Sequence, residues 1–170
     1  GFWLRRAAVE DHAALCNICF QTGDTGAPIT DIEPAEDVSL IGKVYAIPYQ
    51  IFEPDFAFVL EDRAGVCGYT LAARDASAFQ ARLERDWLPT LRAQVPDPGP
   101  DESRWRGRDW LRYMIHHPEN RTFDGLKPYP AEAHIDLLAR AQGRGAGRRA
   151  MRHLMEYLAA AGVPGLHLRV

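Results

Sequence analysis

Cysteine is scarce in this chain, with three in 170 residues. The low, odd count excludes a disulfide-stapled scaffold and fits thiols kept reduced, as in a cytoplasm. No apolar run approaches the roughly 18 residues that a membrane-spanning helix needs. No secretory leader is visible, and Gly1 in place of Met suggests a trimmed or tagged start. Basic residues do not dominate: 20 Lys and Arg stand against 23 Asp and Glu, for a net charge of -3. That balance supplies no general pull toward nucleic acid or an anionic membrane. There is no internal repeat and no low-complexity segment. What remains is a globular composition, 46% hydrophobic and 25% charged, of a length that suits one domain over residues 1–170.

Residues 2–8 read as an opening strand, and Val9 to His12 begin a helix with acidic residues where the helix dipole favours them. Leu15, Ile18 and Cys19 give that helix an apolar stripe. A weaker helical stretch covers about 34–44. Residues 56–62 and 66–72 flank the turn Arg63-Ala64-Gly65 and form the clearest hairpin. The pattern predicts a helix over 77–95, with Phe79, Leu83, Trp87 and Leu91 on one stripe and Pro89 discordant. A second helix, rich in Trp, Arg and Tyr, is expected over 103–117. A strand over 131–138, a helix over 145–161 capped by Gly162, and a strand beginning at Leu166 complete the chain. Met151, Leu154, Met155 and Leu158 form the core face of that last helix. The order indicates an α/β fold with a mixed sheet.

Between the strand over 131–138 and the last helix stands AQGRGAGRR, Ala141 to Arg149. A strand running through glycines into a helix makes a phosphate cradle. The first amides of a helix lack intrahelical acceptors and carry the positive end of its dipole. Glycine keeps Cβ atoms out of the way, and Arg144, Arg148 and Arg149 can add charge-assisted contacts. The nucleoside-triphosphate P-loop is excluded, because Arg148-Arg149 stand where Lys and Ser or Thr belong. The dinucleotide pattern fails too, with Arg148 in place of the third glycine and the motif too late in the chain.

Gln142-Gly143-Arg144-Gly145-Ala146-Gly147 matches Gln/Arg-x-x-Gly-x-Gly/Ala at every position. In this the sequence resembles the GCN5-related N-acetyltransferases (GNAT), whose acetyl-CoA pyrophosphate loop carries the pattern. The strand before it, the helix after it, the upstream hairpin and the opening strand and helix follow the family's order. Phe58 to Asp62, Gly65 to Tyr69 and His134-Ile135-Asp136 further resemble the acetyltransferase-like C-terminal domain of O-GlcNAcase and its bacterial relatives. The mammalian domain has a degraded loop; this chain has an intact one.

The resemblance implies a mostly antiparallel central sheet flanked by helices, with the family's last helix and final strands missing from this sequence and supplied either by a longer chain or by a partner. It implies direct acetyl transfer to an amine, without metal or covalent intermediate. Acetyl-CoA would lie on Leu137, Leu138, Gln142, Gly143, Arg144, Gly145, Ala146, Gly147 and Arg148, with the Leu137 N–H polarising the thioester carbonyl. A lysine-like amine of pKa near ~10.4 is neutral only about one part in two thousand at pH 7, so a general base helps. Glu132, His134 and Asp136 alternate along one strand and share one face. Asp136 is the first choice of base, being nearest the thioester, with Glu132 and His134 after it; a loop-capping or ion-pairing role for Asp136 stays open. Asp24 and Trp110 are expected at the acceptor, the segment around Trp105, Trp110 and Tyr113 forming a lid. The acceptor is a small amine or a protein lysine, with no nucleic acid, membrane or metal, and a homodimer is allowed. The alternative is a module that binds acetyl-CoA or a protein without turnover. The Cys16-x-x-Cys19 pair reads as packing, and Tyr157 as a surface or packing residue.

Overall fold

The computed structural model describes residues 1–23, 38–120 and 123–169. Its sheet has five strands in the order β1-β2-β3-β4-β5. β1 (Trp3–Arg6), β2 (Ala57–Asp62), β3 (Gly65–Ala73) and β4 (Ala131–Leu137) pair antiparallel, and β5 (Leu166–Leu168) joins β4 in parallel. The sheet is therefore mixed and mostly antiparallel, as expected. The β2–β3 turn closes where Asp62 Oδ1 accepts from the Ala64 N–H at 2.8 Å and Gly65 takes φ 107°.

Helices cover both faces, which is why β2 and β3 read as nearly continuous apolar runs rather than alternating ones. Val59, Tyr69, Leu71 and Ala73 pack with Leu15 and Ile18 of α1 (His12–Thr22), with α2 (Leu40–Tyr45) and α3 (Ile47–Phe52), and with α4 (Ala76–Asp86), α5 (Leu88–Gln94) and α6 (Asp109–His116). Phe58, Ala72, Ala131 and Ala133 face the other way, against Leu154 and Leu158 of α7 (Ala146–Ala160). Each such Leu or Phe contributes roughly 1.5–3 kcal/mol of burial.

Four expectations change. The helix over 77–95 is two helices, broken at Trp87, with Pro89 in the first turn of α5, where a missing N–H costs nothing. Pro48 likewise opens α3, which the sequence reading missed. The helix over 103–117 shortens to α6, preceded by a 3-10 turn at Glu102–Arg104. Met155 is exposed, while Ala146 and Ala150 complete the buried stripe of α7. Of the stretch 34–44, residues 34–37 lie outside the described residues, and α2 occupies Leu40–Tyr45.

One feature of the sheet positions the site. The β4–β5 pairing runs only from Ala131↔Leu166 to Ala133↔Leu168. Beyond it β4 continues to Leu137 with no strand on that side among the described residues.

Candidate active site

The glycine loop has the form of an anion cradle. Gly143 and Gly145 take φ 71° and 74°, the left-handed region that a side chain disfavours, and Gly145 caps α7. Among the described residues, no backbone or side-chain acceptor meets the N–H groups from Gly143 to Arg148; the next, Arg149 N–H, donates to the Gly145 carbonyl at 3.2 Å. Arg144 and Arg148 are exposed and have no ion-pair partner among the described residues. Arg149 is used otherwise: its Nη2 donates to the Phe2 carbonyl at 2.6 Å. Gly147 serves packing, since a Cβ there would come within 3.1 Å of Leu137 Cδ1 and 3.6 Å of Ile135 Cδ1. The third glycine thus lets α7 sit close on β4.

Backbone alternation then sorts Leu137 from Leu138. The Leu138 N–H donates to the Cys67 carbonyl at 2.8 Å, and the Leu138 carbonyl accepts from Ala141 N–H at 2.8 Å. Leu138 therefore has neither group to offer a ligand. Leu137 is paired with Gly68 at the alternate position, so its N–H and C=O turn away from β3 toward the open side. Its carbonyl accepts from Gln142 Nε2 at 2.8 Å. Gln142 thereby ties the loop to the end of β4, and Leu137 N–H is left facing the opening.

On the other face of β4 lies a cleft of about 420 Å³, lined by Cys19, Thr22, Tyr45, Tyr69, Trp110, His134, Asp136 and Arg169. Asp136 Oδ2 accepts from the Tyr69 hydroxyl at 2.5 Å, and the same hydroxyl lies 3.3 Å from Cys19 Sγ. Burial raises the Asp136 carboxyl above the usual range, while the Tyr69 hydrogen bond and the nearby His134 oppose the rise. Tyr69 is 2% exposed, and burial beside Cys19 and Asp136 holds its phenol well above the usual tyrosine range. Burial also pushes the Cys19 thiol up to about 12, so it stays protonated near neutral pH.

Glu132, His134 and Asp136 share one face, but only the latter two line the cleft. Glu132 is 6% exposed and sits behind His134, its carboxylate 3.3 Å from His134 Nε2 and within 3.8 Å of His167 and 3.7 Å of Arg169. Trp110 is a wall of the cleft. Trp105 and Tyr113 instead pack on each other with tilted rings 5.1 Å apart and are not among the cleft-lining residues, so the segment is not a lid as a whole. Asp24 lies outside the described residues. Tyr157 packs against Phe58 at 4.9 Å. Cys16 and Cys19 are buried, Cys16 Sγ donating to the Ser39 carbonyl at 3.7 Å and Cys19 Sγ lying against Tyr69. Tyr69 and Tyr49 escaped sequence reading because only strand register and helix packing bring them to β4; the one available signal for Tyr69 was its place on the hairpin strand, alternating with Leu71.

No family model matches the chain. The crystal structure of SsHAT superposes with a TM-score of 0.87 and 32% identity, covering 99% of this chain and 82% of that one. The chain belongs to the GCN5-related N-acetyltransferases. A second structure, described only as an acetyltransferase, shares the fold at a TM-score of 0.59 and 17% identity, over 99% of this chain and 80% of that one. Protein O-GlcNAcase of Rattus norvegicus is 23% identical over 163 residues, 95% of this chain. The chain spans only 17% of that relative's length. Acetyl-CoA is the co-substrate of the GNAT superfamily, and the residues here fit it: an outward Leu137 N–H, then amides without acceptors and two exposed arginines without ion-pair partners among the described residues, follow one another from the end of β4 into α7. No described helix is long and apolar enough to cross a membrane.

Proposed function

We propose that this domain transfers acetyl from acetyl-CoA directly to a primary amine bound in the cleft between β4, α1, α2 and α6. The observation that carries the reading is the run of N–H groups from Gly143 to Arg148 without internal acceptors, continuous with the opening beside β4. These amides, with Arg144 and Arg148, hold the pyrophosphate; Gln142 fixes the loop, and Leu137 N–H meets the thioester carbonyl. Acetyl-CoA supplies an activated acetyl group. On the opposite side, Asp136 attracts the ammonium, with Tyr45, Tyr69 and Trp110 as aromatic walls. Asp136 and His134 are the two proton acceptors within reach. The acceptor class is a primary amine, on a small molecule or a protein lysine. Three buried thiols outside any disulfide suit a cytoplasmic setting, and the resemblance to bacterial relatives of the O-GlcNAcase domain suits a bacterial one.

Calorimetry with acetyl-CoA tests the first half. The wild-type chain is expected to bind in the micromolar range, and Arg148→Glu, which leaves the backbone unchanged, to weaken binding at least tenfold. Equal binding by both would remove the cradle. A panel of primary amines tests the second half. Tight acetyl-CoA binding with no amine acetylated would favour the alternative, a binding module without turnover.

A further inference from the structure

We infer that His134 is the group that takes the proton from the acceptor ammonium, and that Glu132 and Tyr49 are positioning residues that fix its tautomer; this rests on the acetyltransferase reading above.

His134 Nε2 lies 2.9 Å from the Tyr49 hydroxyl and 3.3 Å from Glu132 Oε1. The Tyr49 hydroxyl donates to the same Glu132 oxygen at 3.3 Å. An ionised carboxylate only accepts, and a tyrosine has one proton to give. If Tyr49 gives that proton to Glu132, its oxygen is left to accept, and Nε2 must donate to it. If Nε2 turns to Glu132 instead, it must again donate. Both arrangements place the imidazole hydrogen on Nε2 and leave the lone pair on Nδ1; the third, in which Tyr49 donates to Nε2 at 2.9 Å, sets the Nε2 lone pair 3.3 Å from the Glu132 carboxylate with no hydrogen between them, and is disfavoured. Nδ1 has no hydrogen-bond partner among the described residues, and the ring lines the cleft beside Asp136.

The surroundings support the arrangement. Tyr49 is 4% exposed on α3, with its ring 4.5 Å from Phe79 and 5.1 Å from His134. Glu132 borders a separate, mostly apolar cavity of about 80 Å³ with Phe79, Leu83 and Trp87, and its other oxygen, Oε2, faces His167 and Arg169 at 3.8 and 3.7 Å. Asp136 is committed differently. Its carboxylate already accepts from Tyr69, and it serves as the fixed negative charge that holds the ammonium. Imidazole is the side chain whose lone pair is available nearest neutral pH.

The balance is simple. Nδ1 takes one proton from the ammonium and later releases it to solvent. The neutral nitrogen forms the C–N bond to the acetyl carbon, the C–S bond breaks, and the second nitrogen proton ends on the departing thiolate.

The test uses the full chain, labelled with 15N, with His134 assigned by comparison with His134→Gln. Long-range proton–nitrogen correlations are expected to show the hydrogen on Nε2 in the wild type. Glu132→Gln introduces an amide that can donate to the ring. It should move the hydrogen toward Nδ1 and lower kcat for a blocked lysine probe by about a hundredfold, with acetyl-CoA binding unchanged. Tyr49→Phe should lower kcat by about tenfold. In a His134→Gln background, Glu132→Gln should cost nothing further, because it acts through the ring. An Nδ1–H tautomer in the wild type, or an undiminished cost of Glu132→Gln without His134, would overturn the proposal. Absence of acetyl transfer by the wild type to any amine would instead count against the acetyltransferase reading, and the tautomer would still decide the proposal.

Discussion

Ionising Asp136 in the folded protein carries a cost. Its folded-state carboxyl lies above the unfolded value of about 3.9 because burial outweighs the Tyr69 hydrogen bond. Linkage gives the sign. A raised acid destabilises the fold in full above its folded pKa, and the penalty disappears as pH falls toward the unfolded value. Asp136→Asn keeps an acceptor for Tyr69 and removes the buried charge. It is expected to melt a few degrees higher than wild type at pH 7, with the difference shrinking toward pH 4, while kcat/KM for the amine falls at least tenfold. Thermal melts at several pH values, run beside the amine assay, check both halves. The three carboxyl and imidazole positions on β4 were legible as one face from their alternation. Their division of labour was not, because strand spacing cannot say that Tyr69 reaches Asp136 from β3 or that Tyr49 reaches Glu132 and His134 from α3.

At the scale of the element, close approach decides more than propensity. Gly68 on β3 faces Leu137, and a Cβ there would overlap the Leu137 side chain and stand 3.1 Å from the Asp136 carbonyl. Gly68→Ala should therefore displace the end of β4, lowering stability by about 1–3 kcal/mol and weakening acetyl-CoA binding in the same preparation. Unchanged affinity would mean that Leu137 N–H is not a contact. Element order was readable: the hairpin, the strand before the loop and α7 all stand near their expected places, because long apolar runs and glycine caps are strong local signals. α3 and the break after α4 were not readable. A proline in sequence looks like a stop, yet Pro48 and Pro89 sit in first turns, where the helix has no hydrogen bond to lose.

At the scale of the whole molecule, β1 is an edge strand tied down by charge. Arg5 bonds Asp11 at 2.7 and 2.8 Å and Glu61 at 2.9 and 3.0 Å, joining β1 to β2 and to the turn before α1. The guanidinium holds both carboxyls below their usual range. A lowered acid contributes stability above its unfolded pKa and loses it as pH falls through the folded value. Arg5→Met is expected to cost about 1 kcal/mol at pH 7, since Arg5 is partly exposed, and less at pH 3, as the two carboxyls begin to take up protons. Denaturant melts at the two pH values check the narrowing. The same scale shows why the mixed sheet could be foreseen while the β4–β5 parting could not. Strand order follows from hairpin and crossover lengths, whereas the point at which two strands part depends on side chains from several elements.

That parting leaves the end of β4 as a short open edge beside the site. Exposed edges invite a strand from another chain and are a common start of aggregation. Here the stretch past Ala133 ends at Leu137, whose carbonyl is already taken by Gln142, and α7 sits close behind it. The notch is shorter than the usual strand of about five or six residues. It suits a slender, extended arm carrying a few amides, and it offers too little ladder to nucleate self-association.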